Sequence, residues 1–149
     1  MLTQLQQAYP TDIRLIFRHY PLDVECNPTL PQQVHPAACA ASIAVECAAE
    51  QEKFWEYADL LFADQKAYTR QDLETYAGTL NLDPSRFSAC LTDGHTRGLV
   101  RQDIEEAERV GIKATPTLVI NGHVIEGIPP PEKLASLLAL EKQQAGKKQ

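Results

Sequence analysis

The sequence predicts an α/β fold from three observations. Residues 13–19 place apolar side chains at alternate positions, as a strand does. Residues 117–126 are typical of two strands joined by Asn121-Gly122, the dipeptide that favours a tight hairpin. Between these segments, residues 37–110 carry mostly helical periodicity. The order of strand, helical block, hairpin and final helix therefore indicates an α/β fold.

The size and charge of the chain restrict its class. A length of 149 residues, with 44% hydrophobic and 23% charged residues, predicts one globular domain over 1–149. The net charge of −6 argues against nucleic acid or an anionic membrane as a partner, since both require a basic surface. No apolar run approaches the roughly 20 residues of a membrane span, and the N-terminus lacks the features of a signal peptide.

The N-terminal part is expected to contain one helix end and one strand. Residues 2–9 have helical spacing and are ended by Pro10. Residues 13–19 have apolar side chains on both faces, which suits a strand in a sheet covered on both sides. Residues 20–36 contain several prolines and are predicted to form a loop.

The helical block is predicted over about 37–110. Its first helix runs through 37–65, with a buried apolar first half and an amphipathic second half. We expect Phe54, Trp55, Leu61 and Phe62 to lie in the core, and Glu46 to lie on a solvated face. Local capping signals place three further helices, at 69–80 behind a Thr69–Asp72 capping box, at 85–91 behind Asp83-Pro84, and at 96–110 before Gly111.

The C-terminal part is predicted to be a hairpin of strands 117–120 and 123–126, followed by a helix over 132–143. Pro116 stands directly before the first of these strands, where it removes a donor from the ladder. This position is understandable if the Thr115–Pro116 bond is cis, since a cis bond bends the chain and exposes its backbone.

The segment G-x-x-A-T-P-T at 111–117, followed by a strand, Asn-Gly and a second strand, resembles the cis-proline loop and C-terminal hairpin of the thioredoxin superfamily. RLIFRHYPLD at 14–23, the helical segment 35–65 and LDPSRFSACL at 82–91 are similar to DsbA-like thiol–disulfide oxidoreductases with a helical insertion. This resemblance covers roughly 2–141. The chain also resembles thioredoxin domains fused to vitamin K epoxide reductase homologues.

The resemblance implies a function in thiol–disulfide exchange with no organic cofactor or metal. It implies that the loop at Thr115 and Pro116 binds the backbone of protein or peptide substrates that carry thiols or disulfides. It also implies a periplasmic or extracytoplasmic location and a vitamin K epoxide reductase-like membrane partner. The missing signal peptide leaves a cytoplasmic location open.

The chain departs from this family in one respect, because its four cysteines form no C-x-x-C. The family's first strand and the start of its first helix, which carries that motif, would precede residue 1. We therefore assign no catalytic residue and expect a truncated or redox-inactive member. The alternative is a non-catalytic thioredoxin-like module that binds peptides or proteins.

The four cysteines allow several arrangements. A structural disulfide between Cys26 and Cys39 is favoured over two unrelated thiols, and over a redox-active pair, because neither residue has a C-x-x-C partner at a helix start. Cys47 and Cys90 fit a disulfide and two core thiols equally well. A zinc site that combines Cys26, Cys39 and Cys47 with His35 is disfavoured by its irregular spacing.

The missing strand would lie between 13–19 and 117–120 in the fold that the chain resembles. Without it, these two strands would pair with each other, receive a strand from a second chain, or leave the domain marginally folded. Exposed strand edges favour association, so we expect a homodimer through these edges.

Overall fold

The computed structural model describes residues 9–64 and 68–146, which divide into two compact units. One unit consists of 9–17 and 111–146, and the other is Arg18–Val110. The described residues form six helices and one two-stranded sheet, which confirms the α/β class. The elements are α1 (Ala38–Ala49), α2 (Phe54–Ala63), α3 (Arg70–Thr79), α4 (Pro84–Cys90), α5 (Gly94–Arg109), β1 (Thr117–Ile120), β2 (His123–Glu126) and α6 (Pro131–Gly146). That residues 1–149 form a single domain stays a prediction.

The unit Arg18–Val110 is built around α1. This helix is apolar nearly all round and contacts α2, α3, α4 and α5. Small side chains let several helices approach it at once, which is how an all-round apolar helix is buried. The core of the unit also includes Tyr57 and Phe87, whose ring centroids lie 5.5 Å apart.

The helix predicted over 37–65 is wrong as a single element, because the chain turns between α1 and α2. Glu52 adopts a left-handed backbone conformation with φ of 62°. The N–H of Lys53 donates to the carbonyl of Ala48, and the N–H of Glu52 donates to that of Ala49. These two bonds are the helix-ending Schellman pattern. The sequence did not reveal it because Glu stands where Gly or Asn is usual.

The turn changes which side of α2 is buried. Trp55 and Phe62 are 43% and 60% exposed, so their predicted place in the core is wrong. Tyr57, Ala58 and Leu61 are buried instead. The Tyr57 hydroxyl donates to the carbonyl of Leu73 at 2.9 Å, and burial raises the pKa of this phenol.

The predicted caps order the remaining helices of this unit. The Thr69–Asp72 capping box is confirmed in both directions, and Asp83 caps α4 by accepting from the N–H of Arg86. Asp93, predicted only to help end the preceding helix, is the N-cap of α5 and accepts from the N–H of His95. Short-range side-chain acceptors therefore set the start of three consecutive helices.

The strand predicted over 13–19 is wrong, because these residues form no β-ladder with any described residue. Their side chains keep the alternating burial of a strand. The backbone N–H of His19, however, donates to the Asp103 carboxylate at 2.9 Å. The N–H of Ile13 donates to the backbone carbonyl of Tyr9 at 3.1 Å, so polar groups of this segment find partners other than a neighbouring strand. The predicted helix end over 2–9 falls almost wholly outside the described residues.

The hairpin is confirmed with the predicted bounds. Thr117 pairs with Glu126 and Ile120 with His123 in an antiparallel register. Asn121 and Gly122 both have positive φ, as a type I′ turn requires. The Asn121 amide donates to Glu141 of α6 at 2.9 Å, which ties the turn to that helix.

Replacement of Thr69 by Ala should lower the free energy of unfolding by about 1 kcal/mol, because the first turn of α3 loses its acceptor. Urea denaturation followed by the fluorescence of Trp55, the single tryptophan, measures this loss. Thr75→Ala is the matched control, since its hydroxyl only donates to the carbonyl of Gln71 in the same helix. Equal losses in the two variants would contradict the capping role.

Candidate functional site

The loop before β1 holds Thr115 and Pro116, the residues predicted to bind substrate. Ala114, Thr115 and Pro116 are all exposed, and the Thr115–Pro116 peptide bond is cis. The carbonyl of Pro116 accepts from the N–H of Gly127 at 2.7 Å, which extends the pairing of the hairpin by one position. The Thr117 hydroxyl donates to the carbonyl of Ala114 at 2.7 Å.

These two bonds fasten the bend at both ends and leave its apex open. No described residue forms a hydrogen bond with the backbone N–H or carbonyl of Thr115. An exposed backbone amide held on a fixed bend can pair with an extended peptide. Recognition of this kind would be largely independent of the peptide's side chains.

In the unit Arg18–Val110, Cys26 and Cys39 form a disulfide with a Cα–Cα distance of 5.5 Å. Cys39 is the second residue of α1 and is completely buried, while Cys26 lies in the loop over 20–36. This bond joins the loop to the start of the central helix.

The Asp23 carboxylate makes a second connection at the same place. One oxygen accepts from the N–H of Cys39 at 3.0 Å, and the other accepts from the N–H of Glu25 and the amide of Gln33. Burial tends to raise the pKa of this carboxyl, but these bonds and one from the backbone of Ala37 outweigh it and hold the pKa below the ordinary value of 3.8. Asp23 therefore acts as an N-terminal cap for α1, supplied from the loop.

Arg97 of α5 lies over the same disulfide. Its guanidinium donates to the Sγ of Cys39 at 3.5 Å and to the carboxylate of Glu25 at 3.0 Å. The sulfur of Cys39 therefore has a cation beside it and the first turn of a helix around it. Both features favour a thiolate.

The second disulfide joins Cys47 near the end of α1 to Cys90 at the end of α4, with a Cα–Cα distance of 5.7 Å. The sequence left this pairing open, and the structure has the bond. Cys47 is completely buried and Cys90 is 7% exposed. All four cysteines are therefore paired in disulfides. The three cysteines of the disfavoured zinc site are among them, so in this structure their sulfurs are bonded to sulfur.

His19, which is buried, and Glu46, which is partly buried, form a pair that the sequence did not indicate. The Nε2 atom of His19, a residue only 4% exposed, lies 2.8 Å from the carboxylate of Glu46. Glu46 was expected on a solvated face, and that prediction is wrong because the side chain turns toward His19. Arg18 forms ion pairs with Asp103 and Glu106 of α5 beside it.

Asp23 and Arg97 are the residues around the first disulfide that the sequence did not reveal. Asp23 is 16 residues from the helix that it caps, and Arg97 is 58 residues from the sulfur that it contacts. No local sequence motif predicts either of these two contacts. The one usable signal for Asp23 was an acidic residue in a loop ahead of a helix that starts at Ala37 and Ala38, neither of which can cap.

Comparison with known families gives one match over nearly the whole chain. The family model described as thioredoxin matches residues 2–139. No solved structure matches the chain.

Several curated proteins share part of their length with this chain. "Na(+)/H(+) antiporter NhaA 3" of Salinispora tropica is 40% identical over 112 residues, 75% of this chain and 16% of that protein. "Na(+)/H(+) antiporter NhaA" of Herminiimonas arsenicoxydans is 33% identical over 123 residues, covering 83% and 18% respectively. "Na(+)/H(+) antiporter NhaA 1" of Mycolicibacterium gilvum is 32% identical over 143 residues, covering 94% and 21%. The chain spans about a fifth of the length of the curated relatives it matches. Within the described ranges, the chain itself has no helix long and apolar enough to cross a membrane.

Replacement of Asp23 by Asn should lower the free energy of unfolding by about 1–3 kcal/mol at neutral pH. Asn has a similar shape, but its single carbonyl oxygen cannot accept all the bonds that Asp23 accepts. Because folding lowers the pKa of Asp23, its contribution is complete above the unfolded pKa and is lost as pH falls through the folded pKa. The difference between the two proteins should therefore shrink below pH 3.8.

Urea denaturation at neutral pH and in acid measures this change. The control is Asp59→Asn, which removes an exposed carboxylate from α2 and should change stability little at either pH. A loss for Asp23→Asn that stays constant across this pH range would show that the carboxylate charge does not stabilise the loop.

Proposed function

Since the chain belongs to the thioredoxin family, we propose that it is a DsbA-like thiol–disulfide oxidoreductase domain that binds its substrate at Thr115 and Pro116. We further propose that the domain acts without a C-x-x-C motif, which its sequence does not contain. The observation that carries the proposal is the exposed bend at 114–116, fastened to β2 by the bond from Gly127 to Pro116.

In this proposal, the bend aligns an extended segment of a thiol- or disulfide-bearing protein. The backbone of Thr115 would pair with one residue of that segment, as in the addition of a strand to a sheet edge. The affinity of a contact made by a few backbone bonds is low. A low affinity suits a step in which many different substrates bind and leave.

The second candidate function is a module that binds peptides or proteins without redox chemistry. It is favoured by the bonding of all four cysteines in two disulfides, neither of which is a C-x-x-C. Both candidates use the same loop. They differ in whether a dithiol from another segment or protein acts on the bound substrate.

A membrane protein is a proposed partner. The chain resembles thioredoxin domains fused to vitamin K epoxide reductase homologues, and the curated relatives in which matching domains occur are named as Na(+)/H(+) antiporters. Two disulfides support an oxidising, extracytoplasmic location for the chain, because reducing compartments keep thiols free.

A homodimer through the second edge of β1 is also proposed, since β2 is the one strand that pairs with β1 among the described residues. Sedimentation velocity at increasing protein concentration should show conversion of a monomer into a dimer. A single monomer species over the whole range would contradict this proposal.

Binding at the loop predicts a dependence on peptide backbone donors. A fluorescent cysteine-containing peptide should bind about fivefold more weakly when the amide that pairs with Thr115 is N-methylated, because a backbone hydrogen bond is worth about 1 kcal/mol. A scan of single N-methyl groups along the peptide, read by fluorescence anisotropy, identifies that amide. N-methylation at the end of the peptide serves as the control.

The variant Thr115→Ala separates recognition by backbone from recognition by side chain. It should bind the unmodified peptide with nearly the same affinity, because its backbone is unchanged. A large loss for Thr115→Ala, with no sensitivity to N-methylation anywhere, would exclude backbone pairing at this loop.

A further inference from the structure

The two sulfurs of the Cys26–Cys39 disulfide differ in how they can be reached. Cys39 is completely buried in the first turn of α1. Cys26 lines a cleft of about 230 Å³, whose wall on α5 includes Ile104. Cys26 is itself largely buried, at 9% exposure, so the cleft is its route of access, and a thiol in the cleft approaches Cys26 before the completely buried Cys39. In thiol–disulfide exchange, the accessible sulfur is the one attacked.

The two sulfurs also differ in how well each would leave as a thiolate. Cys39 has the N-terminus of a twelve-residue helix around it and the guanidinium of Arg97 at 3.5 Å. Two carboxylates also face this region, because Asp23 accepts from the Cys39 N–H and Glu25 pairs with Arg97. Of these charges, only the guanidinium is bonded to the sulfur itself. Cys39 is therefore the better leaving group, and a better leaving group speeds exchange.

From this asymmetry we propose that Cys26–Cys39 is a thiol–disulfide exchange site, separate from the loop at Thr115 and Pro116. One thiolate of a dithiol attacks the Sγ of Cys26, a mixed disulfide forms, and Cys39 leaves as a thiolate. The mixed disulfide joins the first sulfur of the dithiol to Cys26. The second thiol of the dithiol then attacks that first sulfur, and Cys26 leaves as a thiolate. Two electrons pass to the cysteine pair, and the dithiol becomes a disulfide.

The charges at the cleft indicate which thiols enter it. Three exposed charged residues line the cleft, and their net charge is −1: Arg101, Glu105 and Glu108. A thiol with a positive charge nearby is therefore favoured over one with a negative charge. The substrate class that fits is a protein or peptide dithiol with basic residues beside its cysteines.

The disulfide Cys47–Cys90 serves as an internal control. Cys47 is completely buried, and Cys90 lies in the same core cluster as Cys26 at a similar exposure, 7% against 9%, but Cys90 does not line the cleft beside α5. Among the described residues, no guanidinium donates to the sulfur of Cys47 or Cys90 as that of Arg97 does to the sulfur of Cys39. The sequence disfavoured a redox-active Cys26–Cys39 pair because neither cysteine has a C-x-x-C partner at a helix start. The structure places Cys39 in the first turn of α1, although the sequence still gives it no C-x-x-C partner.

The first test reduces the whole folded chain with increasing dithiothreitol, blocks thiols at each point, and maps both pairs by peptide mass spectrometry. We expect half-reduction of Cys26–Cys39 at a dithiothreitol concentration at least about tenfold below that for Cys47–Cys90. Circular dichroism at each point shows whether the chain is still folded. Reduction of both pairs at the same concentration, or only after unfolding, would overturn the proposal.

The second test uses single-cysteine variants and cystamine, a cationic disulfide. Cys39→Ser leaves the Cys26 thiol at the cleft and should form the mixed disulfide at least about tenfold faster than Cys26→Ser, which leaves the completely buried Cys39 thiol. In Cys39→Ser, Glu105→Gln together with Glu108→Gln should slow this reaction about threefold at low salt. Equal rates for the two single variants would exclude attack through the cleft.

The third test examines Arg97. Arg97→Gln should shift the equilibrium with dithiothreitol about fivefold toward the Cys26–Cys39 disulfide, because the Cys39 thiolate loses its charged donor. Arg109→Gln removes the same charge at the other end of α5 and should leave the equilibrium unchanged, because among the described residues this side chain donates to the carbonyl of Glu105 in its own helix and not to a sulfur. Equal shifts in both variants would show that Arg97 has no specific effect on the sulfur.

These tests do not depend on the peptide-binding loop. Cys26→Ser should abolish exchange at this site and leave peptide binding at Thr115 intact. An N-methyl scan in which no position weakens peptide binding would count against the proposed function alone, while the cysteine pair would still be judged by its own reduction and trapping.

Discussion

The burial of α1 on nearly every side is the constraint on which the helical unit depends. Small apolar residues let four helices reach it, but they leave its first turn without a side chain that can cap. Uncapped amides at a buried helix start cost free energy unless an acceptor is supplied. Asp23 supplies that acceptor from the preceding loop. The organisation of residues 20–36 is therefore a consequence of how the central helix is packed.

The same constraint explains where the covalent links are. α1 carries one cysteine of each disulfide, Cys39 in its first turn and Cys47 in its last. A helix surrounded by neighbours brings residues from distant parts of the chain into contact. The first link reaches back to the loop, and the second reaches forward to α4. The acidic side chain of Glu46 lies between them and takes His19 as its partner.

Features set by neighbouring residues were predictable from the sequence. The Asn121-Gly122 hairpin, the Thr69–Asp72 capping box and the Asp83 cap each depend on atoms only a few residues apart. The substrate-binding role of Thr115 and Pro116 came from resemblance to a family, and it stays a proposal.

Features set by distant residues were not predictable. The strand expected at 13–19 had the right alternation, but a strand also needs a neighbour, and the alternation cannot show whether one is present. The turn at Glu52 was hidden because the residue that adopts the left-handed conformation is not glycine. The surroundings of Cys39 depend on Asp23 and Arg97, whose positions follow from the tertiary packing of α1 and α5.

The order of the two disulfides along the chain has a consequence for the unfolded protein. They close loops with sequence separations of 13 and 43 residues, and the first ring ends before the second begins. Chain-entropy estimates assign about 3 and about 4 kcal/mol to rings of these sizes. Because the rings share no residue, opening the first leaves the conformational restriction of the second unchanged. Reduction of the two disulfides can thus lower the stability in two separate steps. After Cys26–Cys39 is opened, the bond Cys47–Cys90 still holds α1 and α4 together.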